Sequence, residues 1–192
     1  MPVKDKFYIH KSSYVDDNVS IGENSKIWHF SHIQSNSSIG KNCSIGQNVN
    51  IGNNVKIGNN VKIQNNVSVY EGVELEDYVF CGPSMVFTNI KTPRSEFPQR
   101  GSSFYLNTLV KKSASIGANA TIVCGVTIGK YALIGSGTVV TKDIPDFALV
   151  IGNPGKIIGW VDKKGHRLEF NDSGISLCKC YSLENNKVEL IQ

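Results

Sequence analysis

The sequence predicts an all-β protein built as a parallel β-helix, and two regularities carry this prediction. The first is an apolar residue at every sixth position from Ile9 to Phe87. A helix would repeat its apolar residues every three or four positions and an ordinary strand every two. A period of six is typical of a parallel β-helix, in which each hexad forms one short strand and one corner. The apolar positions are Ile9, Val15, Ile21, Ile27, Ile33, Ile39, Ile45, Ile51, Ile57, Ile63, Val69, Leu75, Cys81 and Phe87.

The second regularity is the type of residue around each apolar position. Glycine and asparagine follow it, as in "IGNNVKIGNNVKIQNN", and a small or aliphatic residue stands two positions before it. Positive φ is cheap for glycine and tolerable for asparagine, so we expect these residues at the corners. The aliphatic residues, such as Val49, Val55, Val61 and Val67, should point inward and stack on their counterparts in the next coil.

The period breaks after Phe87 and resumes in a new phase at Val110, Ile116, Ile122, Ile128, Ile134 and Val140. The intervening segment, about 88–109, carries Pro93, Pro98 and Gly101 and should leave the coil as an extended loop. With three hexads per turn, we expect six or seven coils that end near Pro145. The sequence therefore predicts a β-helix domain over 1–156. A small β-rich cap should follow over 157–192, with strand-like pieces around 171–174 and 184–186.

Composition narrows the possible partners. The net charge is +4 with no block of basic residues, so we expect no nucleic-acid partner. Apolar runs are too short to span a bilayer and the first residues lack a secretory core, so we expect a cytoplasmic protein without a membrane partner. Three scattered cysteines, Cys43, Cys81 and Cys124, should be buried free thiols. Cys178 and Cys180 form a C-x-C, which is too close for the usual paired zinc knuckle.

The chain resembles the hexapeptide-repeat acyltransferases over most of its length, which implies a left-handed helix and a homotrimer. "IWHFSHI", "GQNVNIGNNVKIGNNVKIQNNVSVYEGV", "VFCGPSMVFTN" with "PRS", and "SIGANATIVCGVTIGKYALIGSGTVVTKDIPDFALVIGNP" are similar to one branch. That branch N-acetylates 3-amino nucleotide sugars for bacterial surface polysaccharide, including lipopolysaccharide. The resemblance favours UDP-2-acetamido-3-amino-2,3-dideoxyglucuronate as substrate, with a dTDP-3-amino-3,6-dideoxyhexose as the alternative. The loop sequence differs from that of the enzymes that act on the UDP sugar. The enzymes that act on the dTDP sugar often have a cysteine-rich ending, and this chain has only "LCKC" there.

The resemblance implies transfer of acetyl from acetyl-CoA to the sugar amine, with no metal. The amine should have a pKa near that of an α-amino group, about 8, so a strong base is not essential. Many relatives use a histidine base, but the root of the loop carries Asn89. Its amide oxygen can accept a hydrogen bond from the amine and aim the nitrogen lone pair. We therefore assign Asn89 as the catalytic residue; the alternative is that it only caps a turn.

Candidate substrate residues lie on polar columns spaced by eighteen residues. One column contains His29, Gln47 and Asn65, and a second contains His32, Asn50 and Ser68. Both columns suit contact with sugar and phosphate, although solvated surface would look the same. Two further candidates stand apart: Tyr70, which can stack on a base, and Arg94, whose guanidinium suits a carboxylate or phosphate.

The resemblance places acetyl-CoA on the C-terminal coils. The pantetheine arm can bond to the backbone there as an added strand would, where small residues leave space. The adenine and its phosphates would lie near the "NPGK" segment. The candidate cofactor-binding residues are Ala118, Gly125, Ser136, Gly137, Asn153, Pro154 and Lys156.

Two other classes of β-helix protein compete with this interpretation. A metal-dependent protein resembling the γ-type carbonic anhydrases needs three imidazoles. The four histidines of this chain, His10, His29, His32 and His166, form no column with a spacing of eighteen. A non-catalytic scaffold would show one regular row of side chains and no long loop. The mixed faces and the long loop favour the acetyltransferase.

Overall fold

The protein is described here by a computed structural model covering residues 6–191. Twenty strands, most of two residues, follow one another around the coil. They are β1 (Tyr8–Ile9), β2 (Tyr14–Val15), β3 (Ser20–Ile21), β4 (Lys26–Ile27), β5 (His32–Ile33), β6 (Ser38–Ile39), β7 (Ser44–Ile45), β8 (Asn50–Ile51), β9 (Lys56–Ile57), β10 (Lys62–Ile63), β11 (Ser68–Val69), β12 (Val73–Leu75), β13 (Phe80–Cys81), β14 (Val86–Phe87), β15 (Thr108–Val110), β16 (Ser115–Ile116), β17 (Thr121–Ile122), β18 (Thr127–Ile128), β19 (Leu133–Ile134) and β20 (Val139–Val140). Four longer strands close the chain: β21 (Ala148–Ile151), β22 (Lys156–Trp160), β23 (Tyr181–Glu184) and β24 (Lys187–Leu190).

Every third strand stacks in parallel, which gives the coil three flat faces. Sheet A has the order β1-β4-β7-β10-β13-β16-β19-β21-β22, sheet B the order β2-β5-β8-β11-β14-β17-β20, and sheet C the order β3-β6-β9-β12-β15-β18. Stacked partners are eighteen residues apart, as in the pairs Ser44–Lys62 and Asn50–Ser68. The parallel β-helix that the hexads predict is confirmed.

The core contains one inward residue per strand and one per corner. The inward strand residues from Ile27 onward and the corner valines Val49, Val55, Val61 and Val67 are buried. Those of the first coil, Ile9, Val15 and Ile21, are partly buried. The corners turn through asparagines with positive φ, among them Asn42, Asn54 and Asn66. Most hexads thus supply two buried apolar side chains and one left-handed turn residue, as the sequence predicts. Three early corners bury Ser25, Ser31 and Ser37 instead of an apolar residue.

The number of coils is larger than expected. Sheet A contains eight parallel strands, and the last of them, β21, lies beyond Pro145. The spacing of eighteen fails there because the final coil is shorter: Ile144 bridges Ile128, and Val150 pairs with Ile134, each sixteen residues on. A period of six therefore cannot detect this coil.

The C-terminal segment turns back on the end of the coil. β22 pairs with β21 in antiparallel fashion and crosses the expected boundary at residue 156. β23 and β24 form a hairpin whose Tyr181 and Val188 are buried. The Tyr181 ring meets Phe147 edge-on with centroids 5.6 Å apart, and Phe147 stacks on Tyr131 at 5.0 Å. The hairpin thus packs on aromatic residues of the last corners.

Cys43, Cys81 and Cys124 are buried free thiols, as expected. Complete burial raises the pKa of Cys81 to about 12. Over residues 6–191, no helix has the length and apolar character needed to cross a bilayer.

Candidate active site

The corners between the sheets carry most of the candidate residues. The A–B corners join a strand of sheet A to the next strand of sheet B, as residues 28–31 do. The B–C corners join sheet B to sheet C, as residues 70–72 do. Both kinds of corner border sheet B, so a ligand that reaches from one to the other lies across the outer face of that sheet.

The long loop leaves a B–C corner, as the sequence predicts. It spans 88–107 between β14 and β15 and contains one 3-10 turn, Ser102–Phe104. The Asn89 carbonyl accepts a hydrogen bond from the Leu106 N–H at 2.9 Å, which closes the base of the loop. Thr88 Oγ1 accepts from the Cys124 N–H at 2.9 Å and fixes the exit strand to the next coil. Asn89 is half-buried, so its side chain stands at an anchored position next to the loop.

The polar columns are present as expected. Asn65 Oδ1 accepts from the Gln47 N–H at 2.9 Å, and His32 pairs in register with Asn50, which pairs with Ser68. His32 Nε2 lies 2.8 Å from Asp16 Oδ1, so a carboxylate fixes its ring. The first column follows the A–B corners and the second follows the outer face of sheet B.

Tyr70 and Arg94 lie on the loop side of sheet B. Tyr70 is exposed on a B–C corner one coil before Asn89. Arg94 lies within the loop, where its Nη1 donates to the Pro93 carbonyl at 2.9 Å. A groove of about 580 Å³ runs beside Arg94 and Arg100 and is otherwise lined by uncharged loop residues. This groove therefore presents two guanidinium groups.

The candidate cofactor residues divide between two corners. Ala118, Ser136 and Gly137 lie on the A–B corners of the last coils. The cis-linked Asn153–Pro154 lies in the turn between β21 and β22, where Gly152 and Gly155 bond to Val139, and Lys156 begins β22. Backbone stacks closely here: a Cβ on Gly117 would lie 2.5 Å from the Ser136 nitrogen. Gly125 is on a B–C corner, where its φ is +87° and the Leu106 side chain lies beside it. The structure therefore groups six of the seven and separates Gly125.

Two features of this region are missed by sequence reasoning. Thr138 Oγ1 is fully buried beside Gly135 and has no hydrogen-bond partner within residues 6–191. A groove of about 550 Å³ also lies on sheet C beside the loop, with Glu71 and Glu74 in its wall. Glu71 Oε1 there accepts from Ser102 Oγ at 2.6 Å, which ties the loop to the coil. The groove has no periodic signal, because it depends on the corner that the loop covers. Thr138 stands two positions before Val140, where the repeat predicts an inward residue, but only the structure shows that its hydroxyl has no partner within residues 6–191.

An aromatic cluster at the N-terminal coils is the third missed feature. Trp28, His29 and Phe30 are consecutive on an A–B corner, and Tyr8 and His10 lie beside them. The His10 and His29 rings stack with centroids 3.6 Å apart, and Tyr8 lies 5.6 Å from Trp28. Desolvation by its surroundings, followed by the charges of His29 and Lys11, lowers the pKa of His10. Neither here nor in the rest of residues 6–191 is a group of three His, Cys, Asp or Glu side chains placed to hold a metal ion.

Two hexapeptide-repeat family models match parts of this coil. The model "Bacterial transferase hexapeptide (six repeats)" matches residues 18–53 and 107–142. The model "Hexapeptide repeat of succinyl-transferase" matches residues 37–71.

The chain is also similar to particular acetyltransferases over part of their length. The chain is 53% identical over 73 residues to a dTDP-3-amino-3,6-dideoxy-alpha-D-galactopyranose 3-N-acetyltransferase of Aneurinibacillus thermoaerophilus, and the match covers 38% of each chain. The structure resembles GDP-perosamine N-acetyl transferase of Caulobacter crescentus in complex with CoA and GDP-perosamine. That likeness has a TM-score of 0.52 at 26% identity and covers 79% of this chain and 55% of the other. A hexapeptide-repeat acetyltransferase of Vibrio cholerae, complexed with acetyl-CoA, gives 0.52 at 25% identity over 74% and 71% of the two chains.

Proposed function

We propose that this protein transfers the acetyl group of acetyl-CoA to the 3-amino group of a nucleotide-linked amino sugar. One observation carries the proposal: within residues 6–191 a hexapeptide coil bears one long loop, whose base is closed by a hydrogen bond to the Asn89 carbonyl. The similarity to sugar N-acetyltransferases supports the reaction class. Since the match spans 38% of the curated relative, its activity comes to this chain as a proposal only.

The reaction needs positioning more than it needs a base. The neutral amine attacks the thioester carbonyl carbon, a C–N bond forms, and the C–S bond then breaks. The departing thiolate accepts the proton that the amine loses, so the charges balance without a protein base. In this scheme Asn89 accepts a hydrogen bond from the amine and fixes its approach. Backbone N–H groups of the last coils would stabilise the developing oxyanion.

The two sugar substrates differ at C5. The relative's name favours a dTDP-linked 3-amino-3,6-dideoxyhexose, which has a methyl group there. The UDP-linked acetamido-amino uronate, which the sequence resemblance favours, has a carboxylate. Arg94 and Arg100 in the loop groove supply the charge that a carboxylate needs. The two observations favour different sugars, so the assay compares the dTDP sugar with the UDP uronate.

The test is release of CoA thiol from acetyl-CoA in the presence of each 3-amino nucleotide sugar. Turnover should require the amino sugar and should fail with the matching 3-hydroxy sugar. Hydrolysis of acetyl-CoA at the same rate without any amine would refute an N-acetyltransferase.

The pH profile distinguishes the two schemes of proton transfer. Without a protein base, kcat/KM should rise with pH in a single step, with an apparent pKa near 8, that of the sugar amine. A histidine base would add a second limb near pH 6.5, where imidazole ordinarily titrates. His32, which Asp16 orients, and His29 are the candidates for that role. If the His32→Asn variant loses several orders of magnitude in kcat and also loses a limb near pH 6.5, His32 is the base. The assignment of Asn89 as the central residue would then be wrong.

We expect a homotrimer with active sites between the copies. Two observations favour a homotrimer. The candidate substrate and cofactor residues are divided between the A–B and the B–C corners, and the loop projects only from a B–C corner. A second copy would bring its loop to the corner that lacks one. Multi-angle light scattering at micromolar concentration should give about three times the mass of the 21.0 kDa chain. A monomer at this concentration would contradict the prediction.

A further inference from the structure

We infer that the aromatic cluster on the first two coils is the platform on which the base of the nucleotide stacks. This base platform consists of Tyr8, His10, Trp28, His29 and Phe30. The inference rests on the proposed function, because it takes the substrate to be a nucleotide. It moves the stacking role away from Tyr70, which stands alone on the other corner of sheet B.

Phe30 has a strained backbone conformation. Its φ is +58°, in the left-handed region that asparagine occupies at the neighbouring corners, as at Asn24, Asn36 and Asn48. An L-residue with a large side chain pays about 1–2 kcal/mol in this region. Phe30 gains little burial in return, since its side chain is 64% exposed. Tyr78 shares this strain and exposure, so the strain alone assigns no role to Phe30, and the assignment rests on the rings around it.

The rings around Phe30 form a rigid surface. Trp28 and His29 are parallel to within 7° with centroids 6.4 Å apart, and His10 stacks on His29. Ser12 Oγ lies 2.8 Å from His10 Nδ1 and accepts from the Phe30 N–H at 3.0 Å. These bonds hold the rings in place before any ligand binds. Aromatic faces fixed in this way are what a nucleobase needs for stacking.

The surroundings favour a nucleotide over another protein. A stable protein interface buries about 800 Å² on each partner, which is more than a few side chains on one corner supply. The platform instead adjoins polar groups that suit ribose and phosphate. The Gln47–Asn65 column continues along its corner, and Lys11 is close enough to lower the pKa of His10. A positive charge there attracts the diphosphate.

The distance to the reacting end is also suitable. Trp28 lies on the second coil and Asn89 on the fifth, so three strand spacings of about 4.8 Å separate them, roughly 14 Å along the axis. The outer face of sheet B lies between them and carries the polar pair Asn50 and Ser68. An extended nucleotide sugar with its base on the platform would cross this face toward the loop.

The experiment uses the two tryptophans as reporters in the intact protein. Trp28 is 38% exposed and Trp160 only 7%, so stacking on the platform should quench the exposed fraction of the fluorescence. Titration with dTDP or UDP should quench, and inorganic pyrophosphate, which has no base, should not. Phe30→Asn installs the residue of the neighbouring corners, so the fold is kept. It should weaken nucleotide binding about 10-fold, the equivalent of about 1.4 kcal/mol of stacking.

Tyr78→Asn is the matched control. Tyr78 also has positive φ and an exposed ring, but it lies on a C–A corner, away from the platform. This variant should bind both nucleotides as the parent does. Equal nucleotide affinity in the parent and in Phe30→Asn, or quenching by pyrophosphate alone, would overturn the inference. So would a change of oligomeric state in Phe30→Asn without a change of nucleotide affinity, since the patch would then be a protein interface.

Failure of the inference and failure of the proposed function give different results. Turnover of an amino sugar with the same KM in the parent and in Phe30→Asn would overturn the platform and leave the acetyltransferase standing. Base-dependent quenching that Phe30→Asn weakens, without turnover of any amino sugar, would support the platform and refute the proposed reaction.

Discussion

Replacement of Asn89 by alanine is expected to lower kcat by about 10- to 1000-fold, the range for loss of an orienting or oxyanion contact. The amide should act on the amine during the reaction, so KM for the nucleotide sugar should change less than kcat. The fold should survive, because the bond that closes the base of the loop uses the Asn89 backbone carbonyl. Single-turnover and steady-state measurements of CoA release separate these quantities.

Asn107→Ala is the matched control for this variant. Asn107 is an exposed asparagine at the other end of the same loop. Its loss should leave kcat within about 2-fold, since only a contact made in the transition state changes the rate strongly. If Asn89→Ala retains the parent kcat/KM, Asn89 is a turn residue and its assignment fails.

Replacement of Gly40 by alanine is expected to have the largest effect on stability. Gly22, Gly40 and Gly58 stack on one another along the C–A corners. A Cβ on Gly40 would lie 2.4 Å from the Gly58 carbonyl oxygen, which is backbone and cannot rotate away. Forcing a methyl group into packed backbone costs about 2–3 kcal/mol. For a chain of this size the melting temperature should fall by roughly 4–12 °C.

The control for Gly40→Ala is Lys41→Ala, the next residue and exposed. This variant should melt within about 2 °C of the parent, since surface substitutions usually change stability by less than 0.5 kcal/mol. Differential scanning calorimetry measures both variants. Equal melting temperatures for Gly40→Ala and the parent would show that adjacent coils can separate at this corner.

The fold is predictable from the sequence wherever a residue stacks on the equivalent residues of the neighbouring coils, eighteen positions away. Ile51, for example, must point inward because Ile33 and Val69 stack on it in register. The spacing of eighteen does not predict the last coil, because one of its corners is two residues shorter. The positive φ of aromatic residues such as Phe30 and Tyr131 is also not predicted from the sequence, since asparagine and glycine are the residues that favour this conformation. A rule based on propensity cannot show where a fold accepts strain.

The candidate site is less predictable than the fold. The break in the hexads locates the loop and therefore Asn89, and the spacing of eighteen locates the polar columns. Which corners the columns occupy depends on the phase of the three faces, so the separation of Gly125 from Ser136 becomes clear only in three dimensions. The glutamate groove beside the loop depends on how 88–107 folds back, which no period describes.

The constant spacing of stacked strands has a consequence for how the chain folds. Partners such as Ser44 and Lys62 are eighteen residues apart, and a separation of this size in a 192-residue chain gives a relative contact order of roughly 0.1. That value is closer to the contact order of helical bundles than to that of β-sandwiches. Each coil can therefore form on the previous one without closing a long loop, as in other repeat proteins. One step differs: β12 pairs with β15 across the loop, and Glu74 meets Leu109 thirty-five residues on. Growth from the first four coils should therefore pause once, at the step that also builds the base of the loop.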